Sequence, residues 1–250
     1  MKPKKFALLN FDKKLLTNEA GIIGIDEAGR GAFAGPVVSA AVWVSQEFYN
    51  LGKKIKEIKL INDSKALTSI QREEIFQLIL EWESRGLIKF AWALSTVLEI
   101  EEHNILGASK LAMKRALQTL LQTIPHEFRV TEISELELWD RLGEETRSKQ
   151  SKILVDGLPL KPFPYNHLPI IEGDGQSLAI AAASIVAKVN RDRLMIDLAK
   201  KYIGYGFEFH KGYGTEMHRD ALIQKGATEI HRTKFLRNLL LNPQPETETG

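Results

Sequence analysis

The stretch that decides the fold runs from Gly21 to Val38, GIIGIDEAGRGAFAGPVV, and carries an apolar run into two adjacent acids. A short apolar run bounded by glycine is typical of a buried strand, here from Gly21 to Asp26. A carboxylate at the end of such a strand is unfavourable unless something positive compensates it. The glycines that flank Arg30 leave room for a backbone, a metal ion or a phosphate to approach closely.

Two further segments repeat this pattern of an apolar strand, an acid and a glycine. The strand predicted within ILVDG ends at Asp156, and the one within PIIEGDG ends at Glu172 or Asp174. Strand ends converge on one edge of a sheet, where α/β folds bind ligands. Such an all-oxygen cluster suits Mg²⁺ or Mn²⁺, and two ions would fit an in-line phosphodiester displacement. The acids expected to meet there are Asp26, Glu27, Asp156 and Asp174.

A simpler interpretation of each acid stays open, because a strand-terminal acid often starts a turn or caps a helix, as Asp174 would before a helix at Ser177. Neighbours in a regular strand also point to opposite faces, so Asp26 and Glu27 share a metal only if the strand bends. Gly29 and Gly31 make such a bend plausible.

The remaining pattern predicts strands mixed with helices, hence an α/β or α+β domain whose C-terminal part is more helical. Residues 1–18 are interpreted as a basic arm and residues 241–250 as a disordered tail. Residues 126–150 change to a Glu- and Arg-rich composition, interpreted as surface helix or loop with no role assigned. Predicted strands are Val37–Val44 and Leu87–Leu94. One predicted helix is capped by Thr68 or Ser69 and ended by Gly86, and the others span Ile105–Leu121, Ser177–Lys201 and Thr215–Lys225.

Polar residues on the Ser177–Lys201 helix form a narrow stripe of Ser177, Ser184, Lys188 and Arg191. The stripe either binds phosphates and balances the acids or is a solvated face of a buried helix. The Ser64-Lys65 segment before a helix is either a phosphate contact or an ordinary loop. Tyr213, framed by glycines, either stacks on a sugar or base or belongs to a tight turn.

Several function classes are excluded or disfavoured by composition. The 250 residues contain no cysteine, so disulfides, thiolate nucleophiles and Cys-ligated zinc are excluded, and no HExxH spacing indicates zinc. Gly29–Gly35 is one residue too long for the dinucleotide fingerprint and is followed by Pro36. A net charge of +2 does not itself indicate a polyanionic partner. Without a signal-like or membrane-length apolar run, we expect a soluble cytoplasmic protein.

Taken together, these segments resemble bacterial ribonuclease HII, a type 2 ribonuclease H. The matching segments are GIDEAGRGAFAGPVVSAAV, NDSKALT, ILVDG, EGDGQSLAIAAASIVAKVNRDRLM, YGFEFHKGYGT and the pair His231-Arg232. The resemblance implies a ribonuclease H-like mixed five-stranded sheet flanked by helices, spanning residues 19–240. It also implies a metal-dependent endonuclease that cleaves RNA in RNA/DNA hybrids and at ribonucleotides embedded in duplex DNA, leaving 5′-phosphate and 3′-hydroxyl ends.

The same resemblance assigns roles to single residues. Asp26, Glu27, Asp156 and Asp174 match the catalytic acids that hold Mn²⁺ or Mg²⁺. Gly29, Arg30 and Gly31 match the motif that senses the 2′-hydroxyl. The corresponding motif of the sister family ribonuclease HIII lacks the arginine. Tyr213 matches a tyrosine that packs on the adjacent sugar. The phosphate-contacting neighbourhood contains Ser64, Lys65, Ser184, Lys188 and Arg191.

The sequence departs from the family pattern at four positions. Ala32-Phe33 replaces Pro-Leu, and Glu172 and Gln176 stand where lysines are usual, which removes positive charge beside Asp174.

We expect a monomer. The rival functions are a ribonuclease H-like junction resolvase acting on DNA and a nucleic-acid-binding module with a degenerate site, although all four acids are present.

Overall fold

The computed structural model describes residues 6–62, 64–130 and 150–236. Residues 1–5 of the predicted arm, the predicted tail 241–250 and most of the segment 126–150 lie outside the described residues. Within the described ranges, no helix is long and apolar enough to cross a membrane.

A mixed five-stranded sheet forms the centre of the molecule, as predicted. Its strand order is β3-β2-β1-β4-β5. β1 pairs antiparallel with β2 and parallel with β4, so the strand that carries the two adjacent acids lies in the middle. The strands are β1 (Gly21–Ala28), β2 (Val37–Ser45), β3 (Ile88–Ser95), β4 (Lys152–Asp156) and β5 (Leu168–Ile170).

Helices cover both faces of the sheet, and several of them begin at a side-chain cap. The hydroxyls of Thr68, Ser177 and Thr215 accept backbone N–H bonds at the starts of three helices. The helices are α1 (Ala7–Leu15), α2 (Gln46–Leu51), α3 (Ser69–Ser84), α4 (Val97–Thr123), α5 (Leu178–Lys201), α6 (Phe207–His210) and α7 (Glu216–Lys225).

Helix α4 is longer than the predicted helix Ile105–Leu121, because an additional N-terminal cap lies before Ile105. Thr96 and Glu99 form a capping box at its beginning. Asn104 interrupts the helix with a φ of 57°, and its side-chain oxygen accepts bonds from the N–H groups of Leu106 and Gly107. The predicted helix is therefore the part that follows this internal cap.

The core divides into two layers because β1 alternates its side chains. Ile22 packs in the layer formed with α3 and α5, whereas Ile23 and Ile25 pack in the layer formed with α4. Full burial of one such side chain contributes about 1.5–3 kcal/mol. Gly24 lets α5 lie directly on β1, since a Cβ atom there would stand 2.1 Å from the carbonyl carbon of Ala179.

Helix α1 packs on the body of the protein, although it falls within the residues interpreted as an arm. Leu9 belongs to the main core and is 1% exposed. The buried carboxylate of Asp12 accepts bonds from the Tyr49 hydroxyl at 2.7 Å and the Ala179 N–H at 3.0 Å. Asp12 thus reaches the free N–H groups at the start of α5.

Candidate active site

The acids of β1 lie where this strand loses one of its two partners. The parallel pairing with β4 ends at Ile25 and Val155, whereas the antiparallel pairing with β2 continues to Ala28. Asp26 and Glu27 therefore lie inside the strand, which is a correction to the predicted end at Asp26. The register with β2 continues through both acids without a bulge, and both side chains nevertheless line the same cleft.

The other two acids come from the β4–β5 side of the sheet. Asp156 is the last residue of β4, as predicted, and its Oδ1 accepts the Gly173 N–H at 2.6 Å. Asp174 is not at a strand end, because β5 stops at Ile170 and residues Gly173–Gly175 form a 3-10 turn. Ser177 supplies the side-chain cap of α5, so the alternative role of Asp174 as that cap is also wrong.

The acids influence one another through their charges. Burial raises the pKa of Asp26 well above its ordinary value, and the charges of Glu27 and Asp156 raise it further. Burial also raises the pKa of Glu27, although the guanidinium of Arg30 opposes the shift. For Asp156, burial and the charge of Asp174 raise the pKa, opposed by the N–H of Gly173. This mutual repulsion favours binding of a cation in the cleft.

An open cleft of about 430 Å³ collects the predicted residues except Asp174 and Arg191. Asp174 nevertheless reaches its rim through Lys65, whose Nζ lies 3.0 Å from Asp174 Oδ2. Arg30 lies 3.1 Å from Glu27 and is the second cation at the rim. The cleft is lined by Asp26, Glu27, Ala28, Gly29, Arg30, Gly31, Ser64, Lys65, Asp156, Ser184, Lys188 and Tyr213.

The two glycines beside Arg30 have different roles. Gly29 has a φ of +93°, and a Cβ atom there would stand 1.9 Å from Arg191 Nε. At Gly31, a Cβ atom would meet no atom of the described chain within 4 Å, apart from its immediate neighbours. The room at Gly29 is thus filled by the protein itself, and the room at Gly31 is open to a ligand.

The stripe on α5 is mostly buried, so its interpretation as a solvated face is wrong, and Ser184 and Lys188 line the cleft. The Ser184 hydroxyl lies 2.7 Å from that of Ser64 and, by its hydrogen bond, lowers the pKa of Asp26. Arg191 is 0% exposed and donates to the carbonyl oxygens of Pro36, Ala34 and Lys211. Arg191 therefore holds the cleft's loops together and does not line the cleft, so its contact with phosphate stays a prediction.

Tyr213 closes one side of the cleft, above two cations. Lys188 Nζ and Arg191 Cζ lie 5.4 and 5.3 Å from its ring centroid. Lys188 also forms an ion pair with Asp192 at 2.7 Å. A cation within about 6 Å of a ring centroid attracts the ring, so the tyrosine is held where it borders the cleft.

The donor chemistry of the cleft fits a hard divalent cation, because carboxylate oxygens predominate and repel one another. In the described part of the chain, no three acidic or histidine side chains already form a metal-holding group. Lys65 and Arg30 instead neutralise two of the carboxylates. The residues that would hold a metal are the four predicted acids.

Sequence reasoning missed residues that support the cleft from behind. Arg72 donates to the carbonyl oxygens of Ser64 and Leu67 and so holds the loop that carries Lys65. Arg232 and His218 are buried behind the Gly29–Gly31 and Tyr213 loops. The sequence indicated Arg232 only as part of the family-like pair His231-Arg232, and no local pattern indicated Arg72 or His218.

Comparison with known proteins supports the resemblance seen in the motifs. A family model described as ribonuclease HII matches residues 23–238. A ribonuclease HII of Fusobacterium nucleatum is 44% identical over 229 residues, covering 91% of each chain. A ribonuclease HII of Zymomonas mobilis is 38% identical over 87% of this chain and 85% of its own.

Solved structures support the fold. A ribonuclease H2 from Pyrococcus horikoshii matches with a TM-score of 0.58 and 24% identity, over 86% of this chain and 93% of its own. Bst-RNase HIII in complex with Mn²⁺ matches with a TM-score of 0.59 and 17% identity, over 86% and 65% respectively. At these identities the likeness concerns the fold alone.

Proposed function

The chain belongs to the ribonuclease HII family and is an endoribonuclease acting on RNA/DNA hybrids, and we propose that the four clustered carboxylates carry the cleavage. The observation that supports this most is their convergence. The carboxylates come from three separated segments and repel one another around one open cleft. One segment carries Asp26 and Glu27, the second Asp156 and the third Asp174. Folding brings such groups together at an electrostatic cost, which is typical of a functional site.

The proposed cofactor is Mg²⁺ or Mn²⁺, held by the four acids. When bound, divalent ions supply a more acidic attacking water and positive charge at the leaving 3′-oxygen. Asp26 and Asp156 are oriented for this by the N–H groups of Glu27 and Gly173, each at 2.6 Å from a carboxylate oxygen. The products carry 5′-phosphate and 3′-hydroxyl ends.

The rim of the cleft binds and orients the substrate in this proposal. Lys65 and Lys188 lie beside the acids and contact backbone phosphates, while Arg30 holds the phosphate next to its own loop. The open space at Gly31 admits a 2′-hydroxyl to the main chain, the group by which RNA differs from DNA. Tyr213 packs on the adjacent sugar. The substrates are RNA/DNA hybrids and duplex DNA with an embedded ribonucleotide, and the protein acts as a monomer.

One cleavage assay separates this function from its rivals. Three duplexes of one sequence are compared: all-DNA, DNA with one ribonucleotide, and an RNA/DNA hybrid. Each is incubated with Mg²⁺, Mn²⁺ or EDTA. We expect metal-dependent cleavage of the second and third duplexes only. A branched DNA is added as a fourth substrate. Its cleavage instead would indicate a resolvase, and binding without cleavage would indicate a binding module.

A further inference from the structure

The pair His231-Arg232 lies behind the cleft, bonds the loop after β1 directly and reaches the Tyr213 loop through His218. Both side chains are buried, with 4% and 0% exposure. The backbone of this pair is built into the same layer: His231 forms a β-bridge with Ala34, and Arg232 N–H donates to the Phe33 carbonyl at 2.8 Å. In turn, Phe33 N–H donates to the Gly212 carbonyl at 2.8 Å, so three segments meet here.

The guanidinium of Arg232 fixes the loop after β1. Its Nε and Nη2 donate to the Gly35 carbonyl at 2.9 and 2.8 Å, and its Nη1 donates to the Arg30 carbonyl at 2.9 Å. In a trans peptide the C=O and the following N–H point in opposite directions. With the Arg30 carbonyl turned toward buried Arg232, the Gly31 N–H is turned away from it, on the side of the open cleft.

His231 fixes the other loop through a chain of hydrogen bonds. Its Nδ1 accepts the Thr228 N–H at 2.9 Å, so the ring hydrogen lies on Nε2. That Nε2 donates to His218 Nε2 at 3.1 Å, which leaves the His218 hydrogen on Nδ1. His218 Nδ1 then donates to the Tyr213 carbonyl at 3.0 Å. The network therefore assigns one neutral tautomer to each ring and ends on the backbone of Tyr213.

We propose that Arg232 and His231 are positioning residues that set the distance between the Gly29–Gly31 loop and the Tyr213 ring, and thereby the selectivity for an isolated ribonucleotide. This inference rests on the proposed function. Two neighbouring residues on one rigid backbone hold the two loops that contact one nucleotide and its neighbour. A shift of either loop changes the distance between the 2′-hydroxyl contact and the sugar contact.

The two substrates respond differently to such a shift. In an RNA/DNA hybrid, every register places some 2′-hydroxyl near the Gly29–Gly31 loop, so a displaced loop still finds a partner. In a duplex with a single ribonucleotide, only one register supplies a hydroxyl, and both contacts must fit it together. Misplacement by about 1 Å is enough to lower a rate ~100-fold in well-oriented sites.

The test uses the full chain with Arg232→Lys, which keeps the charge but loses the planar fork that reaches two carbonyls. The ratio of kcat/KM on the single-ribonucleotide duplex to that on the hybrid is the readout. We expect this ratio to fall at least ~10-fold, as expected for lost charge-assisted hydrogen bonds. The matched control is Arg115→Lys, because Arg115 pairs with Glu99 outside the cleft. The control leaves the ratio unchanged.

Two variants of His231 test the hydrogen-bond chain that ends at Tyr213. His231→Asn retains an acceptor for Thr228 but loses the donor to His218, whereas His231→Gln retains a donor at the distal position. We expect His231→Asn to lower the ratio and His231→Gln to restore part of it. These variants also test the inference if Arg232→Lys does not fold, as judged by circular dichroism.

Each outcome bears on a distinct claim. An equal loss on both substrates with an unchanged ratio, in folded Arg232→Lys and His231→Asn, overturns the positioning role and leaves the proposed function intact. Wild-type protein that cleaves neither substrate with Mg²⁺ or Mn²⁺ overturns the proposed function, and this inference with it. A lowered ratio in the variants, with the control unchanged, supports both.

Discussion

Arg191 fills the space beneath Gly29, where a Cβ atom would stand 1.9 Å from its Nε. The same guanidinium donates to Pro36, Ala34 and Lys211, so it cannot withdraw without breaking three bonds. Two residues further on, Gly31 faces open space. Within one short motif, therefore, one glycine is required by the fold and the other leaves room for a ligand.

Gly29→Ala should lower the stability of the protein, whereas Gly31→Ala should lower its activity. Gly29→Ala adds a methyl group at a positive φ against a buried side chain, and we expect a loss of stability of about 1–3 kcal/mol, the usual cost of overpacking. Gly31→Ala should unfold in urea like the wild type but lose cleavage of a single embedded ribonucleotide. Undiminished activity of Gly31→Ala would remove the argument for a 2′-hydroxyl contact there.

Asp26→Asn should abolish cleavage while keeping duplex binding. Its carboxylate is buried and repelled by Glu27 and Asp156, so a neutral amide removes repulsion, and we expect stability to hold or increase. The rate should fall by more than ~100-fold, the upper range for groups that only support a metal ligand. Cleavage rates and binding by fluorescence anisotropy check this. Normal cleavage would show that the metal assignment is wrong.

Divalent ions should stabilise the folded protein directly. An ion that binds only the folded state at 100 times its Kd adds about 2.7 kcal/mol, which corresponds to roughly 5–10 °C in Tm for a chain of this size. We expect this shift with Mn²⁺ in the wild type and a smaller one in Asp156→Asn. Exposed Glu57→Gln is the control and should respond as the wild type does. Equal shifts in all three proteins would place the ion elsewhere.

The histidine chain should make the protein sensitive to acid. Burial lowers the pKa of His218 to about 4, from 6.5 in the unfolded chain. Between these values the unfolded chain binds more protons, so stability is lost as pH falls from 6.5 toward 4, by up to about 3 kcal/mol. Urea unfolding at pH 7 and pH 5 measures the change.

A matched pair of variants isolates this effect. His218→Gln removes the titrating ring and should flatten the pH dependence, although it also weakens the protein at neutral pH. His103→Gln, at an exposed histidine, should keep the wild-type dependence. The same slope in all three proteins would show that His218 is not the group responsible.

Local signals predicted much of this molecule. Thr68 caps its helix as expected, and the helices predicted to begin at Ser177 and Thr215 do begin there, since an N-cap depends on the next three residues only. The five-stranded sheet was implied by the family resemblance and is confirmed. β5 is shorter than predicted because an apolar run alone does not show where pairing stops. Asp174 consequently lies in a turn.

Contacts between distant segments were beyond the sequence pattern. The helical period placed Arg191 on the polar stripe, but it does not show whether that stripe meets water or another loop. Arg232 bonds Arg30 across 202 residues, and Ser64 meets Ser184 across 120. Such pairs exist only after the chain has folded, so neither propensity nor spacing reveals them.

The buried carboxylate of Asp12 affects when its helix can dock during translation. The helix that contains Asp12 is synthesised before its partner, because the Ala179 N–H that it binds is made 167 residues later. Until then the acid has no helix to cap, and docking of the amino-terminal helix has to wait. Domains generally fold as units during translation, and here helix α1 completes a contact that the second half of the chain must provide.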